Sequence, residues 1–543
     1  MTTRREFLSA PALLAASAKR PPNVILIITD DQGYGDLSLH GNPVLRTPNI
    51  DSIGREGVRF TQFRVSPVCA PTRASLMTGR WNYRTGVTDT YLGRALMRPE
   101  EVTLAECLRG AGYRTGIFGK WHLGDNAPLR ATDQGFEEAL TLRGGGLGQP
   151  SSPPGTGYFD PPLELNNRAT AGKGYCTDIF FDHALGFIEK NRTRPFFCYL
   201  STNAPHTPLE IGGEWVEPYR GKGLDAATEK IYGMISNLDS NTGRLLAHLR
   251  KLGIDRDTML VFMTDNGAQQ RRFNAGLRSL KGTVYDGGIR VPCFLRHPGV
   301  AVPREVDLAA AHVDLMPTIL DACGVAAPEG RKIDGRSLMP WVAGSKEKMA
   351  ERTQVFQWRR GDEPEAWKNC AVVRGDWKLV NGAELYNVRQ DPGEARDLAK
   401  SEPEAVARLR KEYEEWFKDV GSAGYAPPRI WVGSEIENPV LLTRQDWRGP
   451  KATWDATGLG HYEVDIRRKG RYRVTLKFPA VKEAAKAVFD AGFTQMGEEV
   501  RVGSVECTQE TTFDRVGPAR FEGRLEAGGR TWGAHYIEIR RLG

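Results

Sequence analysis

The feature that most constrains the fold is an unbroken apolar run over residues 24–29, with the sequence Val-Ile-Leu-Ile-Ile-Thr. Runs rich in β-branched residues are typical of strands buried on both faces of a parallel sheet. Similar strands are predicted at 115–118, 195–200 and 259–263, and amphipathic helical patterns lie between them. This alternation predicts an α/β fold with a doubly wound, mostly parallel sheet, whose functional sites form at the carboxyl ends of the strands.

The pattern changes after residue 345. Short alternating runs over 372–387 indicate antiparallel hairpins, and a helix is predicted over 402–418. The last hundred residues alternate apolar and polar positions, which is typical of an all-β sandwich. The predicted organisation is a catalytic α/β domain, a small antiparallel α+β subdomain, a Gly/Pro/Ser-rich linker and a C-terminal β-sandwich-like domain, over residues 20–345, 346–425, 426–436 and 437–543 respectively.

Composition excludes several classes of protein. Of the 543 residues, 40% are hydrophobic and 26% charged, which excludes a multi-span membrane protein, a coiled coil and a mostly disordered chain. The net charge of +7 is spread along the chain without a Lys/Arg block, so nothing indicates nucleic-acid binding. The eight cysteines form no CxxC pair, which argues against a zinc knuckle or a thioredoxin-like site.

The N-terminus has the pattern of an export signal. Arg4-Arg5 is followed by Phe7-Leu8, a short apolar stretch and small residues up to residue 18. A basic start, an apolar run and a small-residue cleavage site are typical of a signal peptide, and adjacent arginines indicate the twin-arginine type. Residues 1–18 are therefore predicted to direct the protein to the periplasm or outside the cell, with a disordered tail as the alternative.

Acidic residues follow two of the predicted strands directly. Asp30-Asp31 ends the first strand, and Asp265-Asn266 ends the strand over 259–263. Carboxylate and amide oxygens without His or Cys form a ligand set that selects a hard cation, Ca²⁺ or Mg²⁺. Each pair alone is also typical of a turn or a helix cap, but two pairs at matching strand ends favour a metal site.

One segment carries a specific motif. Cys69-Ala70-Pro71-Thr72-Arg73 continues into Ser75-Leu76-Met77-Thr78-Gly79-Arg80 and resembles the signature of the formylglycine-dependent (type I) sulfatases, which belong to the alkaline-phosphatase-like superfamily. The resemblance extends over residues 20 to about 425 and includes the segments 30–36, 119–124, 204–208, 264–267 and 281–292. It implies that Cys69 is oxidised to Cα-formylglycine by a formylglycine-generating enzyme.

The resemblance also implies roles for individual residues. The hydrated aldehyde would supply a nucleophilic hydroxyl, and a second hydroxyl whose deprotonation would expel the sulfate. The implied metal centre is one Ca²⁺, with Mg²⁺ as the less favoured ion, held by Asp30, Asp31, residue 69, Asp265 and Asn266. The implied catalytic roles are a support for residue 69 (Arg73), a contact to the sulfate charge (Lys120), a base (His122) and contacts to the bridging oxygen (His206 and Lys281).

The substrate and two other function classes stay open at this point. A sulfated glycan or an aryl sulfate is expected, with pocket walls from loops in 126–176 and 268–280. Arg271, Arg272 and Arg278 either contact further acidic groups of a polysaccharide or form a solvated basic surface, which is the default interpretation. A phosphonate monoester or phosphodiester hydrolase of the same superfamily is the enzymatic alternative. A glycan-binding C-terminal domain is the non-enzymatic alternative, since that domain carries the aromatic residues Trp447, Trp454, Tyr462, Tyr472, Trp532 and Tyr536.

Overall fold

The computed structural model describes residues 20–543, so the predicted signal peptide over 1–18 lies outside the described residues. No helix within that described part is both long and apolar enough to cross a membrane. The helices are α1 (Pro48–Glu56), α2 (Cys69–Thr78), α3 (Leu104–Gly110), α4 (Cys176–Asn191), α5 (Gly213–Val216), α6 (Ala226–Lys251), α7 (Asp286–Ile289), α8 (Leu315–Cys323), α9 (Met339–Val342) and α10 (Pro403–Val420).

A ten-stranded sheet forms the centre of the molecule. Its strands are β1 (Asn23–Thr29), β2 (Val58–Arg64), β3 (Arg114–Lys120), β4 (Glu138–Leu142), β5 (Pro162–Leu165), β6 (Arg168–Ala171), β7 (Phe196–Ser201), β8 (Thr258–Thr264), β9 (Cys293–Arg296) and β10 (Arg304–Ala311). They lie in the order β10-β2-β9-β8-β1-β7-β3-β4-β5-β6. The five central strands, β8 to β4, are all parallel to one another.

Strand β1 shows why this sheet is buried on both faces. Its alternate residues Val24, Leu26 and Ile28 enter one hydrophobic core, and Ile25 and Ile27 enter another. The first core contains residues of α2, α3 and α8, and the second contains residues of α1, α4 and α6. Helices therefore cover both faces, which confirms the predicted doubly wound α/β fold.

A second, four-stranded antiparallel sheet packs against α10, as the hairpin pattern predicts. Its strands are β11 (Gln354–Gln357), β12 (Cys370–Arg374), β13 (Trp377–Val380) and β14 (Glu384–Asn387). A buried ionic cluster joins this sheet to the central one. Asp286 of α7 accepts hydrogen bonds from Arg64 of β2 at 2.7 and 2.9 Å and from Lys378 of β13 at 2.7 Å. Glu394 is the second carboxylate beside Lys378.

The C-terminal part is all-β, as predicted. Its strands are β15 (Ile430–Val432), β16 (Val440–Thr443), β17 (Tyr462–Ile466), β18 (Gly470–Lys477), β19 (Ala485–Asp490), β20 (Gln495–Val500), β21 (Glu506–Phe513), β22 (Gly517–Ala527), β23 (Arg530–Gly533) and β24 (Tyr536–Arg541). They form a six-stranded and a four-stranded sheet that share one hydrophobic core.

The linker prediction needs one correction. Strand β15 lies inside the segment 426–436 that was expected to be a linker, and it pairs in parallel with β17. Ile430 and Val432 are buried in the C-terminal core, whereas Trp431 between them is only half-buried. An Ile-x-Val alternation is long enough to form a short edge strand. The Gly and Pro residues around it give the segment the composition of a linker, so the composition alone does not indicate the strand.

Backbone contacts fix the C-terminal part against the central sheet. The amide N–H of Gly93 donates to the carbonyl of Gln445 at 2.9 Å, and the Nε2 of Gln445 donates to the carbonyl of Thr90 at 2.9 Å. Further along, the amide of Trp431 donates to the carbonyl of Ala127 at 2.8 Å. The loop around Thr90 is thus held from the C-terminal side, and this loop borders the site described next.

Candidate active site

The carboxylates predicted to form a metal site lie together at one edge of the sheet. Strands β1 and β8 are neighbours and parallel, with Thr29 opposite Thr264, so that Asp30 and Asp265 leave the sheet side by side. The backbone N–H of Asp31 donates to Oδ1 of Asp265 at 3.3 Å. Ligand atoms of Asp30, Asp31, Asp265 and Cys69 all lie within 4.8 Å of one another, and all four residues are buried.

Cys69 is the first residue of α2, whose N-terminus adjoins this cluster. Its thiol lies 3.5 Å from Oδ1 of Asp30, and the Nζ of Lys281 lies 3.3 Å from its sulfur. Burial, together with the negative charge of Asp30, raises the pKa of the Cys69 thiol to about 12. An unmodified Cys69 is therefore a neutral thiol at neutral pH and a poor nucleophile.

Three buried cations balance the three carboxylates. The Nζ of Lys120 lies 2.5 Å from Oδ2 of Asp30, and Lys281 pairs with Asp31. Arg73 donates from Nε at 3.1 Å and from a terminal nitrogen at 2.7 Å to Oδ2 of Asp265. Because the charges of these side chains cancel, a bound divalent cation would give the site a net positive charge that attracts an anion.

Each ionisation state has a physical cause. Burial opposes the charge on Asp31, but the ammonium of Lys281 and the imidazole of His206 lower its pKa below the ordinary value. Burial and the neighbouring Asp30 raise the pKa of Asp265 to about 6, although Arg73 and Lys120 act in the opposite direction. A cation between these carboxylates would relieve the repulsion that keeps Asp265 partly protonated.

The donor set fits a hard cation. Oδ2 of Asp31 and Oδ1 of Asn266 are buried and have no hydrogen-bond partner among the described residues. The amide nitrogen of Asn266 donates to Oδ1 of Asp31 at 2.8 Å, which turns the amide oxygen away from that carboxylate. Buried acceptors without donors are expensive, and a Ca²⁺ or Mg²⁺ ion would satisfy them with oxygen ligands.

Two of the predicted site residues have strained backbones. Asp31 has φ 64° and His122 has φ 61°, both in the left-handed region that residues with a Cβ rarely adopt. Arg272 binds the strained turn, because it donates to the carbonyl of Asp31 at 3.0 Å and forms an ion pair with Asp36. Strain of this kind accumulates at functional sites, where surrounding contacts hold a side chain in one direction.

The hydrogen bonds of His122 fix its tautomer. Its Nε2 lies 2.7 Å from the carbonyl oxygen of Thr90, and a carbonyl accepts only. Nε2 therefore carries the proton, and Nδ1, which has no partner among the described residues, carries the lone pair. Burial and the charge of Lys120 hold the pKa of His122 well below its ordinary value, so the ring is neutral and Nδ1 is available as a base.

The hydrogen bonds of His206 fix the opposite tautomer, with the proton on Nδ1. Its Nδ1 lies 2.7 Å from the carbonyl of Thr207, so that Nδ1 is the donor and Nε2 is free. Nε2 lies 3.9 Å from Oδ2 of Asp31. Burial lowers the pKa of His206 to about 4, although Asp31 opposes this effect. The ring is therefore neutral at neutral pH until a negative charge binds beside it.

Two consecutive glycines, Gly145 and Gly146, pack against the imidazole rings of His122 and His206. A Cβ built on Gly145 would lie 2.6 Å from Cε1 and Nε2 of His122, and one built on Gly146 would lie 3.1 Å from Cε1 and Nδ1 of His206. The segment 143–157 contains both glycines and forms neither helix nor strand. Because glycine has no Cβ, the loop can approach both rings this closely.

A cavity of about 820 Å³ opens above this cluster. Four of the predicted residues line it, namely Cys69, His122, His206 and Lys281. The other six are buried, with at most 1% of each side chain exposed; they are Asp30, Asp31, Arg73, Lys120, Asp265 and Asn266. The lining also includes Thr90, Tyr91, Gln149, Trp358 and Arg360, which the sequence motifs do not contain. These residues lie far apart in the sequence, and tertiary contacts bring them to the cavity.

The structure also places the loops, arginines and tryptophans that the sequence analysis associated with substrate binding. The loop segments 126–176 and 268–280 both contribute to the lining. None of the three arginines of the second loop lines the cavity: Arg272 is paired with Asp36, and Arg278 stacks 3.9 Å above the ring of Tyr285. Arg271 and Arg278 are exposed, in agreement with the interpretation as a solvated basic surface. Of the C-terminal tryptophans, Trp447 is a core residue, Trp532 is half-buried, and Trp454 lines the cavity.

Adjacent parallel strands that both end in carboxylates, beside a helix that begins with the candidate nucleophile, place a candidate active site at the carboxyl edge of the sheet. Residues 22–325 match the sulfatase family model, and residues 280–419 match the model of the N-sulphoglucosamine sulphohydrolase C-terminal region. The chain belongs to the sulfatase family, whose members are sulfuric ester hydrolases, and the resemblance found in the sequence is thereby confirmed.

Individual relatives agree with this assignment. N-acetylgalactosamine-6-sulfatase of Rattus norvegicus is 33% identical over 367 residues, which cover 61% of this chain and 68% of that protein. Arylsulfatase A of Homo sapiens is 32% identical over 466 residues, covering 79% and 89% respectively. The crystal structure of Ps i-CgsB in complex with k-i-k-neocarrahexaose superimposes with a TM-score of 0.68 at 27% identity, covering 75% of this chain and 95% of that one.

Proposed function

We propose that this chain is an exported sulfatase that hydrolyses a sulfate monoester of a sulfated glycan or an aryl alcohol, using a formylglycine hydrate made from Cys69 and one Ca²⁺. The observation that carries the proposal is the position of Cys69, at the floor of an open cavity, between Lys281 and the carboxylates of Asp30, Asp31 and Asp265. Two of the proteins named above are sulfatases, and the similar crystal structure is a complex with k-i-k-neocarrahexaose.

The division of the chain is part of the same proposal. We place the catalytic α/β domain over 20–345 and the antiparallel subdomain over 346–425. Because β15 pairs with β17, the C-terminal domain begins at residue 430 rather than at 437. The two family models together reach residue 419, so this last domain lies beyond the part that they match.

The cation would be held by Asp30, Asp31, Asp265, Asn266 and residue 69. When bound, it would supply positive charge that polarises the sulfate oxygens and favours ionisation of the hydrate. Arg73 acts through Asp265, since its guanidinium fixes that carboxylate and also donates to Ser201 at 2.5 Å. This contact differs from the support of residue 69 that the resemblance implies for Arg73, and it makes Arg73 a positioning residue.

The two histidines divide the proton transfers. Nδ1 of His122 carries a lone pair and would accept the proton of the hydrate hydroxyl when the sulfate is released. His206 lies on the side of Asp31 and Lys281, and the negative charge of a bound sulfate ester raises its pKa, so that Nε2 becomes the donor to the leaving oxygen. Lys281 lines the cavity and is placed to contact the same oxygen.

Parallel assays with para-nitrophenyl sulfate and para-nitrophenyl phosphate test the reaction class. A sulfatase releases nitrophenol faster from the sulfate, and Cys69→Ala lowers that rate by more than about 1,000-fold because the nucleophile is lost. Cys107→Ala is the matched control, since Cys107 is half-exposed on α3 and lies outside the cavity lining. Faster turnover of the phosphate ester, or full activity of Cys69→Ala, would contradict the proposal.

A further inference from the structure

The C-terminal domain contributes one side chain, that of Trp454, to the lining of the catalytic cavity. Trp454 lies between β16 and β17 and lines the cavity together with Cys69 and His122. Its ring packs edge-on against Tyr91, with centroids 5.1 Å apart and an interplanar angle of 80°. Trp454 lies beyond the segments matched by the two family models, so this wall is supplied by a part of the chain that they do not describe.

A guanidinium group stacks on the same aromatic cluster. The Cζ of Arg360 lies 4.3 Å from the ring centroid of Tyr91 and 5.4 Å from that of Trp358. The Nε1 of Trp358 donates to Oδ1 of Asp89 at 2.8 Å, which holds the indole in place. Two aromatic faces therefore position the guanidinium of Arg360 at the cavity wall while its N–H groups stay available.

Neighbouring arginines form ion pairs, but Arg360 does not. Arg359 pairs with Glu365, and both Arg94 and Arg448 pair with Asp362 at 2.9 and 2.8 Å. Over residues 20–543, Arg360 has no ion-pair or hydrogen-bond contact, and it is exposed and lines the cavity. The carboxylate of Asp89 interacts with Arg360 electrostatically, but it is buried and accepts from the indole of Trp358, so the N–H groups of Arg360 stay available for bidentate binding of an anion.

The depth of each residue indicates which anion it meets. The sulfate that reacts must lie at Cys69 and the buried carboxylates, whereas Arg360 is an exposed residue of the same cavity lining and therefore lies nearer its mouth. A cavity of about 820 Å³ is far larger than one sulfate group and has room for more than one sugar ring. Aromatic side chains pack against the apolar faces of sugars, and a free guanidinium pairs with an acidic substituent.

We propose that Trp454, Tyr91, Trp358 and Arg360 form a saccharide subsite of the cavity, in which Arg360 binds a second sulfate group on the substrate. This inference rests on the proposed sulfatase function and narrows its substrate class to saccharides with more than one sulfate. It also gives the C-terminal domain a role, because Trp454 forms one wall of the subsite. The glycan-binding aromatic residue of this domain thus acts inside the catalytic cavity rather than on a separate surface.

Competitive inhibition measures the subsite without knowledge of the natural substrate. The probes are neocarrabiose with one sulfate and neocarrabiose with two sulfates, and the reporter reaction is hydrolysis of para-nitrophenyl sulfate by the full chain. In the unsubstituted protein we expect the second sulfate to tighten inhibition by about 10- to 100-fold, as for one charge-assisted contact. Arg360→Gln should reduce this preference to about 2-fold or less, and Arg359→Gln should leave it unchanged.

The tryptophan is tested in the same assay. Trp454→Ala should weaken inhibition by both saccharides by about 10-fold, while Trp454→Phe should retain most of the affinity because a ring is kept. Trp532→Ala is the matched control, since Trp532 is half-buried in the same domain and does not line the cavity. Thermal melting of each variant separates a local effect from loss of the fold.

The outcomes separate this inference from the proposed function. If the reporter is hydrolysed but Arg360→Gln keeps the full preference for the second sulfate, or weakens both saccharides equally, the subsite proposal is overturned. If the reporter is not hydrolysed at all, the proposed function fails, and calorimetric titration of the same two saccharides still measures the preference. A preference that Arg360→Gln abolishes in the titration supports the subsite in that case as well.

Discussion

Gly145 lies against the ring of His122 so closely that an added Cβ would be 2.6 Å from Cε1 and from Nε2. The Nε2 atom is the one that donates to Thr90, so any displacement of the ring disturbs the bond that fixes its tautomer. Gly145→Ala should therefore lower the turnover of para-nitrophenyl sulfate by about 100-fold, the effect expected of a catalytic group displaced by about 1 Å.

The control for this change is Gly186→Ala. Gly186 lies within α4, and a Cβ there meets no atom within 4 Å. The added methyl group should leave activity unchanged and slightly favour the helix. Equal activity in Gly145→Ala and Gly186→Ala, with both proteins folded by circular dichroism, would show that the contact with His122 has no bearing on the reaction.

Arg73→Lys tests the support of the metal site. A lysine cannot replace the paired bonds from Nε and the terminal nitrogen of Arg73 to Oδ2 of Asp265. We expect the affinity for Ca²⁺, measured by calorimetric titration after chelation, to fall by about 10- to 100-fold. Arg55→Lys changes an exposed arginine of α1, which pairs with Asp51 of the same helix, and should leave the affinity as it is. Unchanged Ca²⁺ binding in Arg73→Lys would contradict the positioning role.

Asp446 makes stability depend on pH. Burial and the neighbouring Asp125 raise its pKa to about 8, although Arg143 opposes the shift, and its Oδ2 has no hydrogen-bond partner among the described residues. The folded chain thus keeps a proton that the unfolded chain loses near its ordinary pKa of 3.8. The contribution of this group to stability is therefore greatest at low pH and falls as the pH rises toward about 8.

Asp446→Asn removes this dependence. Melting temperatures at about pH 6 and about pH 9 should show a gain for the variant of roughly 2–5 °C at the higher pH and a smaller gain at the lower pH. Asp514→Asn, at an exposed loop position of the same domain, provides the comparison. A gain for Asp446→Asn that is equal at both pH values would show that the carboxyl group is not protonated in the folded chain.

Asp286 connects the central sheet to the four-stranded sheet through Arg64 and Lys378. All three side chains are at least 99% buried, and the two cations hold the pKa of Asp286 below its ordinary value despite its burial. Asp286→Asn leaves two buried cations with one remaining carboxylate, Glu394, and should lower the free energy of unfolding by about 3–5 kcal/mol.

Urea unfolding measures this loss. Asp376→Asn on the loop between β12 and β13 removes one exposed partner of Arg389 and should change stability by less than about 1 kcal/mol. If Asp286→Asn is no less stable than Asp376→Asn, the buried cluster does not hold the two sheets together. Activity should follow the loss of stability in Asp286→Asn, because α7 lies next to the loop that carries Lys281.

The central sheet and the acidic cluster at its edge could be predicted from the sequence because both depend on local patterns. The run ending in Asp30-Asp31 specifies a strand buried on both faces, and parallel neighbours bring Asp265 to the same edge. By contrast, the ring orientations of His122 and His206 depend on Gly145 and Gly146, which are distant in sequence. A Gly-rich segment is equally typical of an ordinary surface loop, so the sequence does not indicate that these two glycines contact the histidines.

The cavity wall was harder still to predict. Trp454 and Arg360 come from segments that follow the last family motif, and only the docking of the C-terminal domain brings Trp454 next to Tyr91. The same limit applies to Arg272, for which the sequence left a substrate contact and a solvated charge open: its buried partner Asp36 lies 236 positions away in the sequence. Pairing across such distances is a property of the folded chain.

The central claim is that residue 69 reacts as an aldehyde hydrate rather than as a cysteine. Mass spectrometry of the tryptic peptide over residues 65–73, from protein that hydrolyses para-nitrophenyl sulfate, tests it directly. Conversion of the thiol to the aldehyde lowers the mass of this peptide by about 18 Da, and we expect that species in active material. Active protein whose peptide has the mass of unmodified cysteine throughout would contradict the account.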